Sequence, residues 1–357
     1  MIHSEKIQDI TAKKEGIQIN VHNEWDPLEE VIVGIADNAR FPLKDTIFNE
    51  RWSEGRFEMP VLPEYIIEET NEDLAIFSEA LEKLGIIVHR PTPMNPEKMI
   101  TTPDWTSDQL FNYCPRDLIL VLGNKILETP SCDRPRFFET FSYRDILLQA
   151  MESGCPWIAA PKPRLRDTDY PINTNSTFRD PVFDAANILK AGKDLFYLVS
   201  ESGNLAGLKW LRNFVGDEYR VHACPGIYGG YHIDSSLVLL RPGLVLANPE
   251  RVNEKNLPEP LKQWEIIYAP PMEEYTYSNL PGISSAWLGM NLLPLSPELA
   301  VVDEHQVGLI KLLKKKGIDV LPLRIRHGRS LAGGFHCATL GLRRKGEKMT
   351  YFDASKF

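Results

Sequence analysis

A pattern that recurs along the chain constrains the fold more than any single residue does. Each copy has apolar residues at helical spacing, a break that is usually glycine, a short apolar strand and often a proline. The clearest copy spans residues 71–91, and its predicted helix face consists of Leu74, Phe77, Leu81 and Leu84. The other copies occupy residues 144–161, 204–225, 257–271 and 306–322.

Short apolar segments on either side of turn residues lie between these copies and predict strand pairs. Residues 235–240 and 244–248 flank Arg-Pro-Gly, which is a strong hairpin signal. A late strand at 337–343 has no helix after it, so we expect it to pair with the first unit and close a ring. The pattern predicts an α/β fold of five strand–strand–helix–strand units. An ordinary alternation of helices and strands stays open as the alternative.

Length and composition narrow the remaining classes. A chain of 357 residues suggests roughly two domains, but five units in a ring predict a single domain over residues 18–357. Residues 1–17 are then an N-terminal extension, which we expect to be flexible. The net charge of −9 gives no basic surface for nucleic acid. No apolar run approaches the ~20 residues of a membrane span, and the N-terminus lacks the apolar stretch of a signal peptide.

The five cysteines are far apart in the sequence, and they fit neither a disulfide framework nor a zinc motif. A reducing cytoplasm is therefore predicted. Cys337 follows a glycine-rich loop at the start of the last strand, where a thiol can act as a nucleophile. A buried structural thiol is the alternative. His336 is not expected to be its partner, because neighbours on a strand point to opposite faces.

Three carboxylates and a histidine are further candidates. His232 and Asp234 would share a face if their segment is extended. Asp184 stands among apolar and small residues, where it serves either as a helix cap or as the orienting partner of a site. Asp117 precedes the apolar strand at 118–122, and a salt-bridged turn residue is the alternative reading.

The order of these motifs resembles that of a known family. Residues 23–34, Asn-Glu-Trp-Asp-Pro-Leu-Glu-Glu-Val-Ile-Val-Gly, are similar to the opening of the amidinotransferases, which include glycine amidinotransferase and inosamine-phosphate amidinotransferase. Motifs similar to those of the family follow in order at 114–117, 183–186, 232–234, 248–251 and 333–337. The similarity extends from about residue 18 to the C-terminus. It implies the pentein α/β-propeller, in which five ββαβ units surround a central channel that holds the active site.

The resemblance implies a reaction without cofactor or metal. Cys337 would attack the guanidinium carbon of arginine, and His232, oriented by Asp184, would protonate the departing ornithine. An amine would then take the amidino group from the cysteine. Asp117 and Asp234 would hold the donor guanidinium, which carboxylates bind bidentately.

Residues further from the reacting carbon would hold the other end of the donor. The resemblance implies that Arg251, with Ser284 or Ser285, binds the α-carboxylate and amine of arginine.

Three departures from the family pattern bear on donor or acceptor specificity. Asn187 stands where aspartate is common, and Gly203 replaces a usual threonine. Residues 229–231, Gly-Gly-Tyr, precede His232 where glycine amidinotransferase has Asn-Pro-Met. That loop lines the acceptor side in the family, so these changes argue against glycine. Tyr231 would either narrow the pocket or hydrogen-bond a larger polar acceptor, and both readings stay open.

We therefore predict a cytoplasmic arginine:amine amidinotransferase of a specialised-metabolite pathway, acting on small molecules, with neither nucleic acid nor membrane as partner. The resemblance implies a homodimer. One alternative is an arginine deiminase-type hydrolase on the same fold, in which water resolves the amidino-cysteine. The other is a non-catalytic pentein that binds or scaffolds, but a scaffold has no physical need for the five candidate residues together.

Overall fold

The computed structural model describes residues 16–45, 48–49, 61–169, 178–274, 277, 280 and 283–356. Most of the predicted N-terminal extension, residues 1–15, lies outside these ranges. Ile17, at the end of that extension, is buried and packs in a core cluster.

The strands are short, and the helices lie between them in the chain. The strands are β1 (Leu28–Val33), β2 (Ile87–His89), β3 (Ile100–Thr101), β4 (Thr106–Ser107), β5 (Ile119–Leu122), β6 (Lys125–Glu128), β7 (Trp157–Ala159), β8 (Ile188–Ala191), β9 (Asp194–Leu198), β10 (Arg220–Cys224), β11 (Leu237–Arg241), β12 (Leu244–Ala247), β13 (Glu265–Tyr268), β14 (Leu293–Ser296), β15 (Leu299–Asp303), β16 (Asp319–Leu323) and β17 (Thr339–Arg344). The α-helices are α1 (Glu64–Lys83), α2 (Pro115–Leu118), α3 (Arg144–Glu152), α4 (Leu205–Val215) and α5 (Val307–Lys315). The 3-10 helices are Arg134–Arg136, Glu139–Tyr143, Ala185–Asn187, Gly216–Glu218, Glu259–Gln263, Ala286–Met290 and Ala354–Lys356.

Five three-stranded sheets share one topology within the described residues. In each, the central strand pairs antiparallel with the first strand and parallel with the third. The sheets are β17-β1-β2, β5-β6-β7, β8-β9-β10, β11-β12-β13 and β14-β15-β16, and β3 and β4 form a separate ribbon. The five-unit repeat predicted from the sequence is confirmed.

The last strand completes the first sheet. β17 pairs antiparallel with β1, so that Val31 lies opposite Gly341 and Val33 opposite Thr339. The strand without a following helix therefore joins the two ends of the chain into one unit, as the sequence predicts.

Each sheet is buried on both faces because it contributes to two cores. In β5, Ile119 and Val121 pack in the cluster shared with the first sheet, whereas Leu120 and Leu122 pack in the cluster shared with the third. Further clusters join the third sheet to the fourth, the fourth to the fifth, and the fifth back to the first. Strands buried on both faces are apolar throughout rather than alternating. Because every core belongs to two units, we propose that residues 18–357 form one domain.

The structure differs from the predicted elements in two places. Helix α1 begins at Glu64, earlier in the chain than residue 71, and Leu84 follows its end with 51% of its surface exposed. In the fourth unit the connection is the short 3-10 helix Glu259–Gln263, which agrees with the missing glycine in that copy.

No helix in the described ranges is both long enough and apolar enough to cross a membrane.

Candidate active site

In four of the five units, the segment that precedes the first strand of the sheet contributes to one cavity. Asp117 stands just before β5, Asp234 before β11, Asn291 before β14 and Cys337 before β17, and all four line a cavity of about 330 Å³. These four residues hold equivalent positions in four related units. Residues far apart in sequence are therefore brought together by the repeat itself.

Cys337 is buried in the cavity wall, and Asn291 holds it on two sides. The backbone N–H of Cys337 donates to Oδ1 of Asn291 over 3.0 Å, and Nδ2 of Asn291 donates to the thiol sulfur over 3.1 Å. The preceding turn needs glycine at Gly333, because a Cβ there would lie 2.6 Å from the sulfur of Cys114. The thiol precedes β17 instead of lying within it.

His232 has left-handed backbone geometry, with φ at 58°. The expected extended segment from His232 to Asp234 is therefore wrong, because β11 begins only at Leu237 and the chain turns before it. Both side chains nevertheless line the same cavity. Left-handed geometry costs on the order of 1–3 kcal/mol for a residue other than glycine, and such strain clusters at functional sites.

The two ring nitrogens of His232 have different partners. Nε2 lies 3.0 Å from Oδ2 of Asp184, and Nδ1 lies 3.6 Å from Oδ1 of Asp117. Burial alone would lower the pKa of His232. The charge of Asp117 and the hydrogen bonds to Asp184 and Cys337 outweigh burial and raise this pKa well above its ordinary value. The imidazolium is therefore the favoured form, and Nδ1 is the nitrogen that faces the cavity.

One oxygen of Asp117 is held and the other is left for a ligand. Arg136 donates through Nη1 to Oδ2 of Asp117 over 2.7 Å, and Glu139 holds Arg136 with two further hydrogen bonds of 2.7 and 3.0 Å. Oδ1 of Asp117 is buried and has no hydrogen-bond partner within the described structure. A buried acceptor of this kind is costly unless a ligand satisfies it.

Asp234 is held from the opposite side of the cavity. Its Oδ2 accepts a 3.2 Å hydrogen bond from Nε of Arg116, lies 3.5 Å from Nδ1 of His336, and accepts a contact of 3.7 Å from the thiol of Cys337. Burial opposes ionisation, but His336, Arg116 and His232 outweigh it and hold the pKa of Asp234 well below its usual range. The carboxylate is therefore charged.

Arg251 is bonded to hydroxyl groups near the cavity. Its Nη2 donates to Oγ of Ser285 over 2.7 Å, and its Nη1 donates to Oγ of Ser235 over 2.8 Å. The guanidinium lies 3.7 Å above the ring centre of Tyr228, which is a favourable cation–π distance. Ser284 instead donates to the backbone carbonyl of Arg329 over 3.2 Å. Of the two candidate serines, Ser285 is the one that contacts Arg251.

The residues that depart from the family pattern fall into two groups. Tyr231 lines the cavity, and its hydroxyl donates to Oδ1 of Asp133 over 3.0 Å. Asn187 lies behind the site, where Nδ2 donates to the carbonyl of Leu198 over 3.1 Å. A Cβ at Gly203 would lie 2.4 Å from that same Nδ2. Asn187 and Gly203 therefore pack against each other, and neither residue borders the cavity.

Comparison with known proteins decides the family. No family model matches the chain. It is 48% identical over 343 residues to inosamine-phosphate amidinotransferase 1 of Streptomyces glaucescens, covering 93% of this chain and 99% of that protein. It is 35% identical over 356 residues to mitochondrial glycine amidinotransferase of Gallus gallus, covering 93% and 84%. The chain belongs to the amidinotransferase family.

Solved structures agree with this assignment. The amidinotransferase superposes on inosamine-phosphate amidinotransferase of Streptomyces griseus with a TM-score of 0.90, at 47% identity over 94% of this chain and 100% of that one. An amidinotransferase of the saxitoxin pathway from Microseira wollei gives 0.87 at 37% identity, covering 94% and 99%. A dimethylarginine dimethylaminohydrolase gives 0.59 at 14% identity over 88% and 99%, which shows the shared fold alone. The architecture is the pentein α/β-propeller.

The reactive cluster of this amidinotransferase is also its candidate metal site. A carboxylate oxygen of Asp117, a ring nitrogen of His232 and the sulfur of Cys337 all lie within 4.8 Å of one another. These three donor types are ones that Zn²⁺ accepts. The absence of a metal stays a prediction, and metal analysis of the purified protein tests it.

Several residues around the site were not singled out from the sequence. Arg136 and Glu139 form a buried pair behind Asp117, and Glu24 contacts Arg116 behind Asp234. The only sequence signals are the three-residue spacing of Arg136 and Glu139, and the position of Glu24 in the opening motif. Asn291 carries no signal, because its contact with Cys337 depends on the fifth unit meeting the first.

Proposed function

We propose that this amidinotransferase moves the amidino group of L-arginine to an acceptor amine through a covalent amidino-Cys337 intermediate, and releases ornithine. The observation that carries the proposal is Oδ1 of Asp117, a buried acceptor with no hydrogen-bond partner in the described structure, which lies 3.6 Å from Nδ1 of His232 and close to the thiol of Cys337. A guanidinium is planar, cationic and rich in N–H donors, so it suits an anionic acceptor in this place.

In the first half-reaction the thiolate of Cys337 attacks the central carbon of the guanidinium. The bond from that carbon to Nε of arginine then breaks, and His232 supplies from Nδ1 the proton that this nitrogen takes up as it departs as the side-chain amine of ornithine. Asp184, bonded to Nε2, holds the ring in this orientation. The high pKa of His232 suits the acid role.

In the second half-reaction an acceptor amine attacks the amidino carbon. The neutral His232 takes a proton from that amine, the carbon–sulfur bond breaks, and the thiolate of Cys337 is restored. One histidine acts first as acid and then as base, so the two substrates alternate in ping-pong order. Asp117 and Asp234, which line the same cavity as Cys337, would hold the cationic amidino group in both steps.

We propose that Arg251 and Ser285 bind the α-carboxylate and amine of arginine. We also propose that the acceptor is an amine larger than glycine and belongs to a specialised-metabolite pathway. Two relatives support this assignment: one at 48% identity is named for inosamine phosphate, and one at 37% belongs to saxitoxin biosynthesis. The hydroxyl of Tyr231 is already bonded to Asp133, which supports a role for its ring as a wall of the cavity. The cytoplasmic location and the homodimer stay predictions from the sequence.

The decisive experiment incubates the protein with arginine, alone and with a panel of amines: glycine, lysine, aminocyclitols and longer ω-amino acids. Ornithine that appears only with an amine supports transfer, and the best amine identifies the acceptor class. Citrulline would contradict transfer and favour the hydrolase. No turnover with any amine would favour the scaffold.

A second experiment tests the nucleophile. Mass spectrometry of the intact protein after brief exposure to arginine should show one added amidino group, and Cys337→Ser should abolish it. The matched control is Cys114→Ser, which changes another buried thiol lining the same cavity. Burial raises the pKa of Cys114 well above its ordinary value, so this thiol is a poor nucleophile. An adduct that survives in Cys337→Ser would show that the assignment is wrong.

A further inference from the structure

Behind Asp234, away from the cavity, lies a buried cluster of charges centred on Glu24. Oε1 of Glu24 lies 3.1 Å from Nζ of Lys190 and accepts a 3.0 Å hydrogen bond from the backbone N–H of the same residue. Oε2 lies 3.4 Å from Nε2 of His336 and 3.8 Å from Nη1 of Arg116. Glu24 is only 4% exposed and does not line the cavity.

Two of these partners continue to Asp234. Arg116 directs Nη1 toward Glu24 and donates through Nε to Oδ2 of Asp234 over 3.2 Å. His336 places Nε2 toward Glu24 and Nδ1 3.5 Å from the same Oδ2. Each of the two side chains therefore bridges the carboxylate behind the site and the carboxylate in it.

The charges of this cluster balance only while Glu24 is ionised. Arg116 and Lys190 are cationic, and Glu24 and Asp234 are the carboxylates that face them. Burial opposes the ionisation of Glu24, but Lys190, Arg116 and His336 outweigh it and hold its pKa well below the usual range. Arg344, the next cation outward, is compensated in part by Glu24 and, to a smaller extent, by Asp26.

We propose that Glu24 is a positioning residue for the donor: it holds Arg116 and His336 back, so that Asp234 keeps a net negative charge for the guanidinium. Without Glu24, the cations Arg116 and Lys190 would have Asp234 alone as their counter-charge, and a cationic donor would enter a site with excess positive charge. This inference rests on the proposed function, because it requires a guanidinium donor.

Glu30 provides a matched control. It is also 4% exposed, and its carboxylate likewise faces basic side chains. It lies 2.8 Å from Nε2 of His89 and 3.1 Å from Nη1 of Arg343. None of these three residues lines the cavity. Glu24→Gln and Glu30→Gln therefore remove the same buried charge from the same kind of cluster, and only the first cluster extends to Asp234.

The experiment compares steady-state kinetics of the two variants with arginine, and with an alkylguanidine that lacks the α-carboxylate. Glu24→Gln should raise KM for both donors about tenfold, in the range seen for residues that act through others, with a smaller change in kcat. Glu30→Gln should leave KM within about twofold. Equal effects of the two variants on KM, or a loss of kcat without a change in KM, would overturn the proposal.

A second variant separates charge from folding. Glu24→Gln combined with Lys190→Met restores the charge balance behind Asp234, so KM should recover in part relative to Glu24→Gln alone. A purely structural role predicts that the double variant is worse than either single one, and that result would also overturn the proposal. If Glu24→Gln does not fold, the test uses the double variant instead. Its KM for arginine should lie within about threefold of the wild-type value. Failure of the wild-type protein to release ornithine would refute the proposed function instead.

Discussion

At the scale of single residues, the orientation of His232 determines how the site can work. Its left-handed backbone turns the ring so that Nε2 meets Asp184 and Nδ1 faces the cavity. The spacing of His232 and Asp234 predicted that their side chains share a face of an extended segment. Both residues line the cavity, but the segment is not extended. A backbone conformation of this kind follows from surrounding contacts, such as the hydrogen bond from the N–H of Ile233 to the carbonyl of Ala186.

The pairing of His232 with Asp184 predicts a pH dependence. Because the pKa of His232 is raised, the protonated form that ornithine release needs is present at neutral pH and is lost as pH rises through that pKa. Asp184→Asn removes a carboxylate that stabilises the imidazolium. The alkaline limb of kcat/KM for arginine should therefore move to lower pH, and the rate should fall about 100-fold or more.

The control for this variant is Asp194→Asn. Asp194 is likewise bonded to a histidine, with 2.7 Å between its Oδ1 and Nε2 of His222, but neither residue borders the cavity. Its pH profile should match that of the wild-type protein. An alkaline limb that stays in place in Asp184→Asn would show that Asp184 does not set the pKa of His232.

At the scale of elements, the functional groups come from the segments before the first strands, and the strands hold them in place. Asn187, just before β8, illustrates the support: Nδ2 bonds to the carbonyl of Leu198 on β9 and to Ser200 beyond it. Gly203 packs directly against Asn187. The sequence marked both positions as departures from the family pattern that bear on donor or acceptor specificity, and the structure makes them neighbours behind the site.

This packing predicts a stability effect without a change of substrate. In Gly203→Ala the new methyl group would lie 2.4 Å from Nδ2 of Asn187 and 2.9 Å from the carbonyl of Leu198. Overpacking of this kind costs about 1–3 kcal/mol, measured as a lower free energy of unfolding in denaturant. The ranking of acceptor amines should not change. Gly229→Ala meets no atom within 4 Å and should alter the free energy of unfolding by less than about 0.5 kcal/mol; equal losses in the two variants would refute this account.

At the scale of the whole molecule, the first and last strands lie in one sheet, because β17 pairs with β1. Each of the five cores is shared by two neighbouring units. Loss of packing at the closure should therefore destabilise all units together. The units depend on this sharing, because the strands of the five sheets are only three to six residues long and each sheet packs in clusters shared with its neighbours.

Leu342 in β17 tests the closure. It is fully buried in the core between the first and second sheets, so Leu342→Ala should lower the free energy of unfolding by about 2–5 kcal/mol. The change in tryptophan fluorescence and the loss of catalytic activity should occur at the same denaturant concentration. Leu84→Ala, at a leucine that is 51% exposed, should change the free energy by less than about 0.5 kcal/mol. Loss of activity well before the fluorescence change would indicate that the closure opens on its own.

The sequence by itself determined the five-unit repeat, the closing strand and the candidate site residues. Those features follow from local periodicity, from the apolar strands that two-sided burial requires, and from motifs that are contiguous in the chain. Only the tertiary structure decided which groups hold Asp117 and Asp234, namely the Arg136–Glu139 pair on one side and Arg116 with Glu24 on the other. The physical reason is that Glu24, Arg116 and Asp234 come from different units and meet only when the ring closes.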